Sequence, residues 1–161
     1  MIDFSKIVAI RQRRLDRMIT AEKLEEAALR QADADCEAAQ QAIDDYLEQT
    51  RTLEIDLLTN LLNKSVSVND LLAVEETLRK TKEKAQELAN HRAECETRLL
   101  EAKERVRIAG RQRANSAVKL NKSEHIQTHL RQQRMHSEEL REEAALDEFC
   151  EQMAARKGYA A

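Results

Sequence analysis

The chain has no proline and no tryptophan, only two glycines, and aromatic residues make up 2% of its 161 positions. Without proline, nothing sterically forbids helix anywhere along it. The glycines, Gly110 and Gly158, build no Gly-rich phosphate loop, and neither precedes a Lys-Ser or Lys-Thr pair, which excludes ATP hydrolysis by this chain. Strand formers are too scarce for a sheet, and turn signals do not recur. The three cysteines, Cys36, Cys95 and Cys150, have no C-x-x-C spacing and are odd in number. They indicate neither a zinc knuckle nor a secreted disulfide framework, and fit a reducing compartment. No window approaches the roughly 18 apolar residues of a membrane span, and the apolar run within Met1 to Leu15 is too short for a signal peptide. The expectation is a cytoplasmic protein, peripheral to any membrane only through its partners.

What is present is charge and helix formers. Charged residues make up 35% of the chain at a net charge of −3, and Ala, Leu, Glu, Lys, Arg and Gln dominate, the composition of a coiled coil or long helix. One stretch breaks the pattern: Asn63-Lys64-Ser65-Val66-Ser67-Val68-Asn69-Asp70. Its Ser, Asn and Asp side chains compete with helical hydrogen bonding and favour caps and turns. Ser67, or Asn69 just after it, can cap a new helix, and Ser67 with Asp70 forms a Ser-x-x-Asp start before Leu71 and Leu72.

From about Ser5 to Leu62 the apolar residues follow a heptad: Leu15, Glu22, Leu29, Cys36, Ile43, Thr50 and Leu57, with Met18, Glu25, Ala32, Ala39, Tyr46, Leu53 and Asn60 three residues on. After the turn, Leu71, Leu78, Ala85, Arg92, Leu99 and Val106 continue it, with Val74, Thr81, Leu88, Cys95, Ala102 and Ala109 as companions. Repeats sustained this long argue for coiled-coil seams, and a short connection returns the chain antiparallel to itself. The expected fold is therefore all-α: a long antiparallel two-helix coiled-coil hairpin forming one domain. Helix one runs over about 5–62, the turn over about 63–69 and helix two over about 70–156, with a C-terminal helical overhang.

If facing residue numbers total about 131, Leu57 meets Val74, Ile43 meets Leu88, Thr50 meets Thr81 and Cys36 meets Cys95, and large side chains oppose small ones as interdigitated packing asks. Arg92, opposite Ala39, lays its stem along the seam and carries its head to water. Toward the open end Glu22, Glu25, Arg113, Ser116 and Ser123 occupy core positions, and Gly110 adds about 1 kcal/mol of helix cost. The hairpin is expected to be loosest there. The register sets Ile2 near His129 and leaves Leu130 to Ala161 overhanging, with Leu140, Ala144, Phe149 and Met153 as an apolar stripe. Gly158 is the expected stop, with Arg156 and Lys157 at the helix's negative end.

Charge is segregated along the chain. Met1 to Arg17 carries five basic and two acidic residues, and Lys103 to Arg134 nine basic and two acidic; Met18 to Leu61 reverses this with eleven acidic against three basic. His125 and His129 stand one helical turn apart, but Ile126 occupies the place of a zinc protease's general-base Glu and no third ligand is evident. No metal, no cofactor and no catalytic residue are therefore expected, and the chain does not read as an enzyme. Cys36 and Cys95 are expected as free thiols that can pair if oxidised. The basic segments could neutralise phosphates, but they lack stacking aromatics and adjoin an acidic stretch, so no nucleic acid is expected as a partner.

The opening Ile7-x-x-Ile10-Arg11 with Arg14 and Asp16, the long Ala- and Glu-rich helix, the polar turn near residue 65 and the closing Glu142-Glu143-x-x-x-Asp147-Glu148 resemble the type III secretion stalk family. That family includes YscO of injectisomes and its flagellar counterpart FliJ, and the length and long second helix are closer to the YscO branch. The resemblance implies a cytoplasmic stalk that sits as a monomer in the pore of a hexameric secretion ATPase and stimulates it. It also implies contacts with the export gate protein and with secretion chaperones, a role tied to virulence in injectisomes. On that expectation Arg11, Arg13, Arg14, Arg17, Arg107, Arg111 and Arg113 form the ATPase-facing surface, and Tyr46, Asn63, Ser65 and Ser67 face the gate. A coiled-coil scaffold or chaperone escort without a motor role is the alternative.

Overall fold

The computed structural model describes residues 4–159 and folds them into two helices. These are α1, Phe4–Leu62, of 59 residues, and α2, Val68–Tyr159, of 92 residues. There is no strand among the described residues, and the fold is an all-α helical hairpin. The expected place of Ile2 beside His129 lies outside the described residues. The chain gathers into two compact units, Thr20–Arg111 and Met1–Ile19 with Gln112–Ala161.

The unit Thr20–Arg111 contains the turn. Ser67, rather than Asn69, caps α2, so the helix begins two residues earlier than the pattern suggested. The backbone N–H of Asp70 donates to Ser67 Oγ at 3.2 Å, and the N–H of Ser67 donates back to Asp70 Oδ2 at 3.0 Å. This reciprocal capping box satisfies two donors that the first turn leaves without helical partners. The Ser67 hydroxyl also donates to Asp70 Oδ2 at 2.7 Å. These side-chain and backbone bonds hold the Asp70 carboxyl below its ordinary pKa. A carboxylate with a depressed folded-state pKa contributes stability above its unfolded pKa and loses it as pH falls through the folded value. Ser67→Ala is expected to cost about 1 kcal/mol at neutral pH. Urea unfolding at several pH values checks this, because the deficit should shrink in acid as Asp70 protonates.

Along the seam of this unit, Leu29, Ala32, Cys36, Ala39, Ile43, Tyr46, Thr50 and Leu57 of α1 are buried or half-buried. On α2 the same is true of Val74, Leu78, Thr81, Ala85, Leu88, Arg92, Cys95, Leu99, Ala102, Val106 and Ala109. The spacing alternates three and four without interruption on α2, so one stripe stays turned to the partner helix. Cross-helix contacts fix the register near the expected one: Arg105 Nε pairs with Glu25 Oε2 at 3.3 Å, the Tyr46 hydroxyl donates to the Thr81 carbonyl at 3.4 Å, and Lys84 Nζ lies 5.2 Å from the centroid of the Tyr46 ring. Arg92 is half-buried, with its guanidinium paired to Glu96 at 2.8 Å on the surface. Leu53 and Leu71, expected in the seam, are instead exposed.

The two seam threonines behave differently from each other. Thr81 donates its hydroxyl to the Thr77 carbonyl at 2.8 Å, whereas Thr50 Oγ1 is buried with no hydrogen-bond partner. A buried unmet hydroxyl carries its desolvation cost uncompensated. Thr50→Val is therefore expected to stabilise the chain by about 1 kcal/mol, read as a higher urea midpoint at unchanged denaturant slope.

The unit Met1–Ile19 with Gln112–Ala161 corrects an expectation. Its polar seam positions are closed rather than loose: Ser116 and Leu120 are buried, and Ser123 has 0% exposure. Arg11 turns into the seam, where Nη1 donates to the Lys119 carbonyl at 2.7 Å and also to Ser123 Oγ. The Ser123 hydroxyl in turn donates to the Lys119 carbonyl at 3.1 Å. Small side chains let the helices approach, and the Arg11 guanidinium meets the buried Ser123 hydroxyl with a donor. The other doubtful positions are engaged too. Glu25 pairs with Arg105, Glu22 and Arg113 are not free, and a methyl group on Gly110 would meet Glu22 Oε1 at 3.3 Å. The absent side chain of Gly110 thus gives the Glu22 carboxylate room against α2.

Beyond Leu130 every described residue of α2 is exposed. Gly158 does not stop the helix, which runs on to Tyr159, and no described residue has a positive φ. The expected overhang stripe is also redrawn. At 3.6 residues per turn Leu146, Phe149 and Met153 share a face, while Leu140 and Ala144 point to another side.

Candidate partner-binding surfaces

In a two-helix hairpin the seam takes only one stripe of each helix, so partner chemistry comes from the outward positions. In the unit Thr20–Arg111 those positions are apolar at the turn. Leu58, Leu62, Val66, Val68, Leu71 and Leu72 are all exposed, Leu62 at 85% and Val68 at 73%. A cavity of about 280 Å³ between Leu57, Leu61, Val66 and Val74 opens beside them. Exposed apolar residues gathered at one end of a hairpin mark a docking site more often than an isolated exposed Leu does. The expectation of a polar gate-facing tip missed these residues. The available signal was that Leu58, Leu62, Val68 and Leu72 are large apolar residues off the heptad rows, where a coiled coil wants charge.

Of the residues expected to face the gate, Asn63, Ser65 and Ser67 lie together at the turn, and Ser67 is committed to its cap. Tyr46 lies apart from them, roughly 25 Å back along α1 at 1.5 Å per residue. Its ring is half-buried in the seam, under Lys84 and against Thr81.

The expected ATPase-facing arginines divide between the units. In Met1–Ile19 with Gln112–Ala161, Arg13, Arg14 and Arg17 are exposed on α1, Arg11 is spent on Ser123 and Lys119, and Arg113 is half-buried and engaged. Lys6, Lys119 and Lys122 are also exposed in this unit. In Thr20–Arg111, Arg107 is held by the neighbouring Glu104 through Nε at 2.8 Å and through Nη2. The two groups sharpen one another: Glu104 is held below its ordinary pKa and Arg107 above its own, each mainly by this hydrogen-bonded pair. Arg79, between Glu76 at 2.6 Å and Glu83 at 2.7 Å, repeats the arrangement. Such surface pairs within one helix are modest in energy, but they remove Arg107 and Arg79 as unpaired cations. Arg111 remains exposed.

The acidic outward face of α1 is ordered by Gln donors one turn before Asp acceptors. Gln31 donates to Asp35 at 2.9 Å, Gln40 to Asp44 at 2.9 Å and Gln41 to Asp45 at 2.8 Å. Among the described residues there is no group of three or more His, Cys, Asp or Glu side chains arranged to hold a metal, and His125 and His129 are exposed. No described helix is long and apolar enough to cross a membrane. Comparison with protein-family models, with curated proteins and with solved structures finds no match to this chain.

Proposed function

We propose that the chain is a cytoplasmic central stalk of a type III protein secretion apparatus, a monomer that enters the pore of a hexameric secretion ATPase and stimulates it. The observation that carries this reading is the hairpin itself. Two helices, each about 10 Å across, are zipped by a heptad seam and present exposed cations and an exposed apolar turn. The resemblance of the opening Ile7-x-x-Ile10-Arg11 and the closing Glu142-Glu143-x-x-x-Asp147-Glu148 segments to the stalk family supports it. Arg13, Arg14 and Arg17 supply the ATPase-facing charge; contacts of this kind are individually weak and salt-screened, which suits a shaft that changes partners as ring subunits cycle. The apolar turn end around Leu62 and Val68 meets the export gate.

The exposed stripe of Leu146, Phe149 and Met153 on the overhang favours a second reading, a chaperone escort or scaffold without a motor role. Mixing the purified chain with the hexameric ATPase and following ATP hydrolysis separates the two. The stalk reading expects co-purification at one chain per ring and a raised turnover. Failure of both overturns it, and capture of a secretion chaperone with unchanged turnover establishes the escort.

A further inference from the structure

Cys36 on α1 and Cys95 on α2 are both free thiols at seam positions of the unit Thr20–Arg111, and nothing proposed above uses either. Cys95 is buried at 3% exposure and Cys36 is half-buried. The register brings them to the same level. Asp35, the residue before Cys36, lines one cavity with Cys95, Ala32 and Arg98, and the Glu25–Arg105 and Tyr46–Thr81 contacts bracket that level on either side.

The seam here is built of small side chains, with Ala39 and Ala102 buried and Ala32 half-buried. Helices meeting through such residues approach to the short end of the interaxial range, about 8 Å. With Cα atoms about 2.3 Å from each axis, a pair set directly on the line between the axes would stand only about 3.4 Å apart, so a facing pair offset to the side of that line falls within the span of about 4.4–6.8 Å that a disulfide bridges, and the two thiols are near enough that Cys95 acts electrostatically on Cys36. Beside the buried thiol stands a base. His91 Nε2 lies 3.7 Å from Cys95 Sγ, one helical turn away, and accepts a hydrogen bond from the thiol in the tautomer that leaves Nε2 bare.

We propose that Cys36 and Cys95 form a modification site, a thiol pair that a small-molecule disulfide such as glutathione disulfide converts into a cross-seam staple between α1 and α2. The half-buried Cys36 reacts first. Its thiolate attacks one sulfur of glutathione disulfide, the S–S bond breaks, and one glutathione leaves and takes up a proton. Cys95, its proton passed to His91, then attacks the Cys36 sulfur and expels the second glutathione, which takes that proton from solvent or from His91. Two protein thiols are oxidised to one disulfide and one glutathione disulfide is reduced to two thiols. The environment makes the first step slow at neutral pH. Partial burial, then Cys95, Glu96 and Asp33, raise the Cys36 thiol above its ordinary pKa against the opposing pull of Arg92. The exchange therefore quickens as pH rises. The staple closes a loop that includes the turn, fixing the register of this unit against sliding.

The test uses the full chain carrying Cys150→Ala, because Cys150 is exposed and would be modified independently. After exposure to glutathione disulfide, intact mass should fall by about 2 Da with no glutathione retained, and digestion should yield the Cys36 and Cys95 peptides joined. The oxidised chain should melt about 10 °C higher and return to its original midpoint with dithiothreitol. A stable glutathione adduct on Cys36, or unreacted thiols in a folded chain under conditions that modify Cys150 of the unaltered protein, overturns the proposal. A second chain, Cys36→Ser with Cys150→Ala, should leave Cys95 unmodified while circular dichroism shows the helices intact. Rapid modification of Cys95 there would show that it needs no partner and would also overturn the assignment.

Discussion

Replacing Arg13, Arg14 and Arg17 together with Glu is expected to abolish stimulation of the hexameric ATPase by this chain while leaving its helicity and melting midpoint in place. All three are exposed on α1, where substitutions away from caps and buried networks shift stability by only about 0.5 kcal/mol. Three reversed charges turn each attraction into a repulsion, and their combined effect on association is about 100-fold at low salt. Raising the salt should narrow the gap between variant and parent, because contacts between exposed charges fade beyond a Debye length of about 10 Å at 0.1 M. The comparison variant is Arg107→Glu. Arg107 is already held by Glu104, so its reversal should weaken stimulation far less. Stimulation by the triple variant equal to that of the parent would remove these residues from the ATPase-facing surface. Arg11 makes a poor probe, since its loss would strip the buried Ser123 of a donor and unsettle the seam.

The largest loss of stability is expected from Ala102→Asp. Ala102 has 0% exposure, on the α2 stripe that faces α1 within its unit. A carboxylate there has no room in the seam; of the cations one helical turn away, Arg105 is already paired with Glu25, and both Arg98 and Arg105 are exposed residues rather than buried partners. Burying an unpaired charge is among the few single changes that cost about 4 kcal/mol or more. Urea unfolding monitored by circular dichroism should show the midpoint collapse. Lys103→Ala, one residue along on the exposed face, should leave it within about 0.5 kcal/mol. A mild Ala102→Asp phenotype would mean that the two helices part readily at this level, which the burial of Cys95, Ala102 and Ala109 contradicts.

The contrast between these positions explains why some of the protein could be read from its residues and some could not. Heptad spacing is a property of one helix at a time, so Leu29, Ile43, Leu88 and Leu99 announce the seam wherever the partner lies. The Ser67–Asp70 cap is local as well, its groups being three residues apart, and only the choice between Ser67 and Asn69 awaited the structure. Arg11 is different. Its role depends on Ser123 and the Lys119 carbonyl, more than a hundred residues away in sequence, and nothing in its own neighbourhood separates it from Arg13 or Arg14. Reading the polar seam positions as weakness counted their polarity without their partners, and a buried polar group destabilises only when it is unmet. Thr50, the one buried side-chain hydroxyl without a partner among the described residues, is where that concern does apply.

By itself the sequence determined two long helices, a reversal after Leu62, an antiparallel pairing and its register, because these follow from proline's absence, heptad period and turn chemistry, all of which act over a few residues. Tertiary structure alone decided which charged and polar side chains the seam consumes and which remain for partners. Arg11 and Tyr46 turned inward, Arg107 closed on Glu104, and Leu62 and Val68 stayed in the open. The reason is reach: a long side chain on a coiled-coil flank has both the seam and the solvent within range, and the atom that meets it from the other helix decides between them.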